Sequence, residues 1–268
     1  MDSHEHGFKL AGSVKRAIQE YKYFTSKNWT IKEVGDFWDS AAGYDDINEA
    51  TYSYYRRFTN SWNLAKDFVK DNMIMLDIQG RTGKGTEFWF QNGTIKKSYL
   101  VDFSDFLLDI SRKRLEGLNH VYELVKVLDY NLPFDNAFFD FVATYETIEH
   151  MGDPGSFTKE ISRVLKPGGL IVLTCPNILW EPLHWLAAIF NIHHSEGPHN
   201  FLSRNKLLQL FNDNDLSVLK ENTTVVLPFN NKTLISINEK LEEILPQNIL
   251  RLIALRRSFV LRKSIESN

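Results

Sequence analysis

The sequence predicts a doubly wound α/β fold, and three observations support this prediction. From residue 73 onward, short apolar runs bounded by turn residues alternate with helical patterns. Near-continuous apolar strands separated by helices are typical of a parallel sheet that is covered on both faces. The 268 residues are 43% hydrophobic and 24% charged, which excludes disordered and fibrous classes. We therefore expect one domain with helical additions, since this length is near the limit of a single core.

Residues 1–70 are predicted to be helical and rich in aromatic side chains. The aromatic residues of the stretch 47–69 recur every three or four positions, as they do on one face of a helix. A second helix is predicted at 14–24, and a turn at 37–45. We interpret most of these aromatic residues as core.

The strands and remaining helices follow from the same patterns. Ser104 and the sequence Asp153-Pro154-Gly155 are typical helix starts. The predicted strands are 73–78, 95–101, 122–128, 138–143, 169–175, 216–226 and 258–265. The predicted helices are 104–115, 156–165, 203–211 and 235–255.

Charge and cysteine content exclude further classes. A net charge of -3 lacks the basic excess of a nucleic-acid binder. The single cysteine, Cys175, cannot form an internal disulfide or a thiolate zinc site, which suits a reducing compartment. Neither a secretory leader nor an apolar run of about 20 residues is present. We expect a cytoplasmic protein without stable membrane insertion or a nucleic-acid partner.

The turns after the first strands contain the residue types of a nucleoside site. In a doubly wound sheet, ligands bind outside the carboxyl ends of the strands. Asp77 and a glycine-containing turn follow the first strand, where backbone N–H groups can approach a ligand. Asp102 follows the second strand and is suited to ribose hydroxyls, and Asp129 follows the third. A P-loop requires Ser or Thr after Gly83-Lys84, but Gly85 stands there. The dinucleotide-binding fingerprint requires a third glycine where Phe88 stands.

Three motifs in register then carry a resemblance to a known family. They are Leu-Pro-Phe-Asp-Asn-Ala-Phe-Phe-Asp at 132–140, Tyr-Glu-Thr-Ile-Glu-His-Met at 145–151 and Arg-Val-Leu-Lys-Pro-Gly-Gly at 163–169. With these motifs, residues 73–177 resemble the class I S-adenosylmethionine-dependent methyltransferases, especially the type 11 branch that includes quinone-biosynthesis enzymes. Residues 37–45 resemble the Trp-Asp…Tyr-Asp segment of that branch. The resemblance implies a seven-stranded, mostly parallel sheet with an antiparallel last strand.

The resemblance also implies a cofactor, S-adenosylmethionine, and a role for each matching residue. The methionine moiety would be held by Asp77, Gln79, Gly80, Arg81 and Gly83. The adenosine would be held by Asp102 at the ribose, and by Phe103, Asp129 and Tyr130 at the adenine. The methyl-transfer centre would be lined by Tyr145 and Glu146.

The glycine loop departs from the family pattern Asp-x-Gly-x-Gly-x-Gly. Its first two glycines are replaced by Gln79 and Arg81. A side chain there could crowd the cofactor, or impose a backbone dihedral that costs non-glycine residues about 1–2 kcal/mol. Gly80 and Gly85 could instead shift the turn, and Arg81 could pair with the cofactor's carboxylate. The sequence leaves these outcomes open.

The acceptor side is less specific. Methyl transfer depends mainly on alignment, and a base is needed only when the acceptor loses a proton. We predict His150 and His199 as catalytic candidates. The predicted substrate-side residues are Tyr44, Trp180, His194 and Phe201. A metal cluster at 193–199 is the alternative to a lid loop, and we predict no metal.

The predicted function is methyl transfer from S-adenosylmethionine to a small organic acceptor. The single domain would comprise a helical cap (1–70), a cofactor-binding core (71–177), a lid (178–202) and the rest of the sheet with an inserted helix (203–268). Two alternatives remain: a non-catalytic binding protein with a degenerate loop, and a membrane-surface methyltransferase of a lipid or quinone, suggested by the apolar segment 180–190. That segment could equally be a satellite core or an acceptor pocket. A homodimer is possible on the sequence alone. A solvated face is predicted for the basic run Arg251, Arg256, Arg257, Arg262 and Lys263.

Overall fold

The computed structural model describes residues 10–25, 29–40, 51–93, 95–189 and 197–265. In this part of the chain a seven-stranded sheet has the order β3-β2-β1-β4-β5-β7-β6. The strands are β1 (Met73–Ile78), β2 (Ile95–Asp102), β3 (Val121–Lys126), β4 (Phe139–Tyr145), β5 (Leu165–Pro176), β6 (Leu216–Thr224) and β7 (Arg256–Lys263). Strands β1 to β5 pair in parallel, and β7 is antiparallel to both β5 and β6. The predicted fold class and the antiparallel last strand are confirmed.

Helices cover both faces of this sheet. They are α1 (Leu10–Thr25), α2 (Ile31–Ser40), α3 (Tyr52–Ala65), α4 (Lys84–Asn92), α5 (Asp105–Leu115), α6 (Pro154–Val164), α7 (Glu181–Ile189), α8 (Arg204–Asn212), α9 (Lys232–Ile244) and α10 (Gln247–Ile253). Ser104 caps α5 by accepting the Leu107 N–H, and Asp153 caps α6, as the sequence predicts.

The strand order places a ligand site between β1 and its neighbours. Chain order runs outward from β1 to β2 and β3, then returns to β4 on the other side of β1. Such a switch point opens a crevice at the carboxyl ends of the strands. Asp77 lies near this edge, paired in register with Leu100 of β2 and Ala143 of β4.

One local prediction is wrong. Residues 37–40, predicted as part of a turn, form the last turn of α2. The Thr30 hydroxyl accepts the Glu33 N–H while the Glu33 carboxylate accepts the Thr30 N–H, which is a capping box that starts the helix. Val34 and Trp38, four positions apart, are both buried on one face. Residues 41–45 lie outside the described residues.

The C-terminal region needs two corrections. The helix predicted over 235–255 is two helices, because Pro246 cannot donate the backbone hydrogen bond of a helix interior and disfavours helical geometry in the residue before it. The predicted solvated basic face is also wrong in part. Arg256 and Arg257 begin β7 and are buried, since β7 is an interior strand between β5 and β6.

Candidate functional site

Asp77 occupies the centre of the carboxyl edge and is completely buried. Its Oδ2 accepts a hydrogen bond from the Thr86 hydroxyl at 2.8 Å. Its Oδ1 has no hydrogen-bond partner among the described residues. Burial raises the pKa of Asp77 to about 7, although the hydrogen bonds from Thr86 oppose that rise. The site therefore holds a carboxyl group with an unused oxygen that titrates near neutral pH.

The loop after β1 adopts the glycine conformation without glycine at two positions. Gln79 and Arg81 have φ values of 52° and 50°, and Gly83 has 76°. The turn is thus not shifted onto Gly80 or Gly85, which was one of the open outcomes. Gly80 is required for a different reason, since a Cβ there would lie 2.5 Å from the Leu100 side chain. Left-handed non-glycine residues cost about 1–2 kcal/mol each, and such strain concentrates at functional sites.

The side chain of Gln79 points into protein without a partner. It is 2% exposed, and neither its Oε1 nor its Nε2 has a hydrogen-bond partner among the described residues. Buried amides are normally hydrogen-bonded, because an unsatisfied polar group costs about 1–3 kcal/mol. The Gln79 amide and the Asp77 Oδ1 therefore supply one donor group and two acceptor atoms to a polar ligand.

Asp102 ends β2 and is tied to two backbone N–H groups. Its Oδ2 accepts from Arg81 at 2.9 Å and its Oδ1 from Ser104 at 3.0 Å. Burial raises the pKa of Asp102 to about 6, and these N–H groups oppose the rise. Each carboxylate oxygen keeps a further lone pair for a ligand hydroxyl.

Helix α2 covers Asp102 and the Arg81 side chain. Gly35 packs so closely on Phe103 that a Cβ would lie 2.7 Å from the Phe103 carbonyl oxygen. Trp38 stacks over the Arg81 guanidinium at 4.8 Å, and Asp39 accepts a hydrogen bond from the Ser104 hydroxyl. Because of this cover, Asp102 has no exposed surface.

A small cavity lies beside Phe103, the residue that follows Asp102. Phe103, Asp129 and Tyr130 line it, which are the residues assigned to adenine from the resemblance. The remaining lining side chains are Ile31, Ile78, Leu132, Phe157, Glu160 and Ile161. The Tyr130 hydroxyl accepts the Asp153 N–H at 2.8 Å, which holds its ring against the cavity. An apolar space with a few polar groups at its rim suits a planar base.

On the other side of β1, Glu146 follows β4 with a φ of 51°. Its Oε1 accepts from the Thr174 hydroxyl at 2.8 Å and from Arg256 Nε at 3.0 Å. Burial acts to raise the pKa of Glu146, but Arg256 and Arg57 outweigh it and hold the pKa below its ordinary value. The Glu146 carbonyl accepts from Arg81 Nη2 at 2.9 Å. Glu146 is therefore an ionised group within a cluster of arginines.

His150 is buried beneath α2 and makes two contacts through its ring. Its Nδ1 lies 2.9 Å from the Pro198 carbonyl, which can only accept, so the proton is assigned to Nδ1. Its Nε2 lies 3.4 Å from Arg81 Nη2, which can only donate. In this arrangement both ring nitrogens of His150 face protein groups.

Residues 76–173, which run from β1 into β5, match a family described as a methyltransferase domain. The sheet order, the acid at the end of β2 and the loop after β1 agree with that match. Over this segment the chain is similar to methyltransferase domains, which supports a class I S-adenosylmethionine-dependent methyltransferase. The resemblance inferred from the motifs is confirmed.

Relatives of this methyltransferase domain include bacterial quinone enzymes. The ubiquinone/menaquinone biosynthesis C-methyltransferase UbiE of Ralstonia pickettii is 28% identical over 153 residues, which are 57% of this chain and 63% of that protein. The enzyme of the same name from Chromobacterium violaceum is 28% identical over 164 residues, 61% of this chain and 67% of that protein. The match thus spans less than two thirds of the length of the first relative.

Solved structures share the fold at low identity. The geranyl diphosphate C-methyltransferase of Streptomyces coelicolor, bound to Mg²⁺, geranyl diphosphate and S-adenosylhomocysteine, has a TM-score of 0.61 and 13% identity. The alignment covers 89% of this chain and 99% of that one. The cyclase SpnF has a TM-score of 0.64 and 14% identity, covering 89% and 98%. These similarities support the methyltransferase fold.

The remaining predicted residues of the methyltransferase domain occupy different places. Tyr145 is buried among apolar side chains of α3, α4 and β4, where its hydroxyl accepts from Trp89 Nε1 at 2.6 Å. The Gly83 backbone begins α4, as a left-handed cap. These two positions support the loop, while direct contact with a ligand stays a prediction.

The acceptor-side residues that are described fall in two places, one of them near His150. The His199 ring is 6.5 Å from the His150 ring and 5.2 Å from the buried Phe201 ring. Trp180 lies further along, donating from its Nε1 to the Ile253 carbonyl at 3.0 Å. Tyr44 and His194 lie outside the described residues, and their roles stay predictions.

Two residues of the site were missed from the sequence. Arg57 lies in α3 and Arg256 begins β7, and both approach Glu146. Arg57 could have been found from its helix, because it falls one position before Phe58 on a buried stripe. Among the residues that the structure describes, no three His, Cys, Asp or Glu side chains are grouped to hold a metal ion. In the same described ranges no helix is long and apolar enough to cross a bilayer.

Proposed function

We propose that this protein is an S-adenosylmethionine-dependent methyltransferase that acts on a small organic acceptor. One observation carries the proposal: Asp77 Oδ1 and the Gln79 amide are buried and have no hydrogen-bond partner in the described part of the chain, one strand away from the Asp102 carboxylate. A nucleoside with an amino-acid moiety has the groups that would satisfy both positions. A hydroxyl pair would bind Asp102, and an ammonium and a carboxylate would bind Asp77 and Gln79.

The side chains present fit that cofactor from end to end. Phe103, Asp129 and Tyr130 around the cavity would hold the adenine. Asp102 would accept the ribose hydroxyls with its remaining lone pairs. Gln79, in the place of a family glycine, would add a hydrogen bond that glycine cannot make. When bound, the cofactor supplies a methyl group on a sulfonium, which is transferred by in-line displacement.

Helix α2 would serve as a lid of the domain. Asp102 has no exposed surface beneath it, so the cofactor would enter only after α2 moves away from Phe103 and Arg81. The contacts of Trp38 with Arg81 and His150 would then re-form over the bound cofactor and exclude water. We retain the division of the single domain into cap, core, lid and C-terminal part as a proposal.

For acceptors that lose a proton, His199 is the better placed base. Its Nδ1–H donates to the Gly197 carbonyl at 2.8 Å, so its Nε2 is the acceptor nitrogen. His150 would instead position Arg81, whose guanidinium its Nε2 faces. A cytoplasmic location, proposed with this function, is supported by the buried free thiol of Cys175.

The test of the proposed function is calorimetric titration with S-adenosylmethionine and S-adenosylhomocysteine. We expect binding of both, and Asp102→Ala should weaken it by about tenfold or more through loss of charged hydrogen bonds. Asp105→Ala is the matched control, because this nearby carboxylate is exposed and pairs with Lys126. Absence of binding at roughly millimolar ligand would contradict the proposal. An unchanged affinity in Asp102→Ala would contradict the ribose assignment alone.

A non-catalytic binding protein is the second candidate, and Arg81 favours it. The Arg81 guanidinium is stacked on Trp38 and bonded to the Glu146 carbonyl, so the chain's own side chain fills space between α2 and the end of β4. If neither wild type nor Arg81→Gly binds either nucleoside, this candidate replaces the enzyme.

A membrane-surface enzyme is favoured by an exposed apolar face. Leu179, Leu183 and Leu186 are 55%, 53% and 42% exposed around α7. Ile18 and Tyr21 of α1, the helix that packs against α7, are exposed as well. Sedimentation with phosphatidylcholine and phosphatidylglycerol vesicles tests this candidate, with Leu183→Glu as the variant that should release the protein. Wild type that stays in the supernatant with both vesicles would exclude it.

A further inference from the structure

Arg57 of α3 is a buried cation that forms no salt bridge among the described residues, although the Glu146 carboxylate is near enough to act on its pKa. It is 7% exposed, and its Nε is fully buried with no hydrogen-bond partner among the described residues. Its guanidinium lies 4.5 Å over the ring of Tyr54, which is a cation–π contact and not a compensating charge. Buried charges in proteins are ordinarily paired, because removal from water is costly.

The surroundings of Arg57 are positive. Arg256, 4% exposed, and Arg81, 6% exposed, both lie near enough to lower the pKa of Arg57, in addition to burial itself. Glu146 is the carboxylate that acts most strongly in the opposite direction. Its charge is already engaged, because its Oε1 accepts from Arg256 Nε. Arg57 and Arg256 therefore share the Glu146 carboxylate, while Arg81 contacts the Glu146 backbone carbonyl.

The cluster lies at the carboxyl edge of the sheet, on the side of β5 and β7. Arg256 pairs in register with Pro176, the last residue of β5, so its side chain stands at the carboxyl edge. From Asp102 on β2 the sheet passes through β1, β4 and β5 before β7, and adjacent strands are about 4.8 Å apart. Asp77 on β1 and Gln79 just after β1, with their unpartnered polar atoms, lie between Asp102 and the arginine cluster. A cofactor anchored there would leave the Arg57 region for the second substrate.

We propose that the methyl acceptor carries an oxyanion, a carboxylate or a phosphate, which binds Arg57 beside the Glu146–Arg256 ion pair. That the bound anion is a methyl acceptor rests on the proposed function. The anion site itself rests on the arginines. Arg256 donates from Nε to Glu146 and from Nη1 to the Ser53 carbonyl, which orients its guanidinium. The Arg57 Nε has no hydrogen-bond partner among the described residues, so the guanidinium can offer it to a planar or tetrahedral oxyanion.

The experiment titrates inorganic phosphate and benzoate into the full chain, with and without saturating S-adenosylhomocysteine. The variants are Arg57→Gln, Arg57→Lys and, as a matched control, Arg56→Gln. Arg56 is the neighbouring arginine of α3, paired with Glu242. We expect at least one anion to bind wild type and Arg56→Gln. Arg57→Gln should lose about tenfold or more in affinity, and Arg57→Lys should retain part of it.

The outcomes separate this inference from the proposed function. Failure of wild type to bind S-adenosylhomocysteine would contradict the proposed function. Anion titration of the nucleoside-free protein would still show whether Arg57 binds an oxyanion. Equal anion affinity in wild type and Arg57→Gln would overturn the inference. So would weaker S-adenosylhomocysteine binding in Arg57→Gln with unchanged binding of 5′-methylthioadenosine, which lacks the carboxylate, because Arg57 would then serve the cofactor. The more tightly bound probe identifies the oxyanion as carboxylate or phosphate.

Discussion

The backbone nitrogen of Arg81 lies 2.9 Å from Oδ2 of Asp102, which joins the loop after β1 to the acid that ends β2. The left-handed φ of 50° at Arg81 accompanies this contact. Its strain of about 1–2 kcal/mol is offset by a hydrogen bond to a charged group, worth about 1.5–3 kcal/mol. The loop thus keeps the shape of a glycine loop through backbone bonding, and its side chains are free to differ.

Replacing Arg81 with glycine should tighten S-adenosylhomocysteine binding by about tenfold. Glycine keeps the N–H that bonds Asp102 and adopts a φ of 50° without strain, while the guanidinium no longer bridges Trp38 and the Glu146 carbonyl. Calorimetric titration measures the change. Weaker binding in Arg81→Gly would show that the guanidinium contacts the cofactor.

The same replacement at Gln79 should act in the opposite direction. Gln79→Gly also removes a side chain from a left-handed residue, at a φ of 52°, but it deletes the unpartnered amide beside Asp77. We expect about tenfold weaker S-adenosylhomocysteine binding from the loss of a hydrogen bond to a charged group. Both variants relieve similar backbone strain. Opposite changes in S-adenosylhomocysteine affinity would therefore be due to the two side chains. Equal effects in the two variants would contradict the roles assigned here.

Asp77 should make the folded protein less stable as the pH rises toward neutrality. Its folded pKa of about 7 lies above the ordinary value of 3.8, so the folded state binds the proton more tightly than the unfolded state. The resulting stabilisation is present below about pH 4 and is lost as the pH rises through about 7, at a cost of order 4 kcal/mol. Asp77→Asn cannot ionise and should lose less stability over this range.

Urea denaturation at about pH 5 and about pH 7.5 measures this difference. The control is Asp105→Asn, which removes an exposed carboxylate and should retain the wild-type pH dependence. Asp102, whose pKa is raised to about 6, contributes a similar loss in all three proteins. Equal pH dependence of the free energy of unfolding in Asp77→Asn and wild type would refute the assignment.

The carboxyl-edge acids could be predicted because they follow directly from strand positions. Once apolar runs locate β1 and β2, an acid at the end of each must lie at the same edge of a parallel sheet. Asp77 and Asp102 are found there, beside the switch point. The helix start at Ser104 was equally local, since a cap depends on residues within one turn.

The arginine cluster could not be predicted because its members are distant in sequence. Arg57 and Arg256 lie 199 positions apart and meet only because α3 packs against β7. Within its own segment Arg256 belongs to a basic run, and such runs are usually solvated. It is buried because β7 inserts between β5 and β6, which is a property of topology. Likewise, no local pattern distinguishes a glycine loop from one in which glutamine and arginine take left-handed backbone.

Replacing Arg57 with methionine should stabilise the ligand-free protein by about 1–2 kcal/mol. Burial of this guanidinium, whose Nε has no hydrogen-bond partner among the described residues, opposes folding by more than its attraction to Glu146 offsets. An apolar side chain of similar length removes that opposition while keeping the packing on Tyr54. Residues kept for binding commonly carry such a cost in stability. Denaturation in urea, without added anions, measures the free energy of unfolding.

Arg256→Met is the matched variant, and it should destabilise the protein by about 3–5 kcal/mol. It removes the same kind of side chain from the same cluster, but it leaves the buried Glu146 carboxylate without its ion-pair partner. Opposite changes in the free energy of unfolding would distinguish Arg57, available to a ligand, from Arg256, which neutralises the buried Glu146 carboxylate. Destabilisation by Arg57→Met to the same extent as by Arg256→Met would mean that Arg57 supports the structure itself.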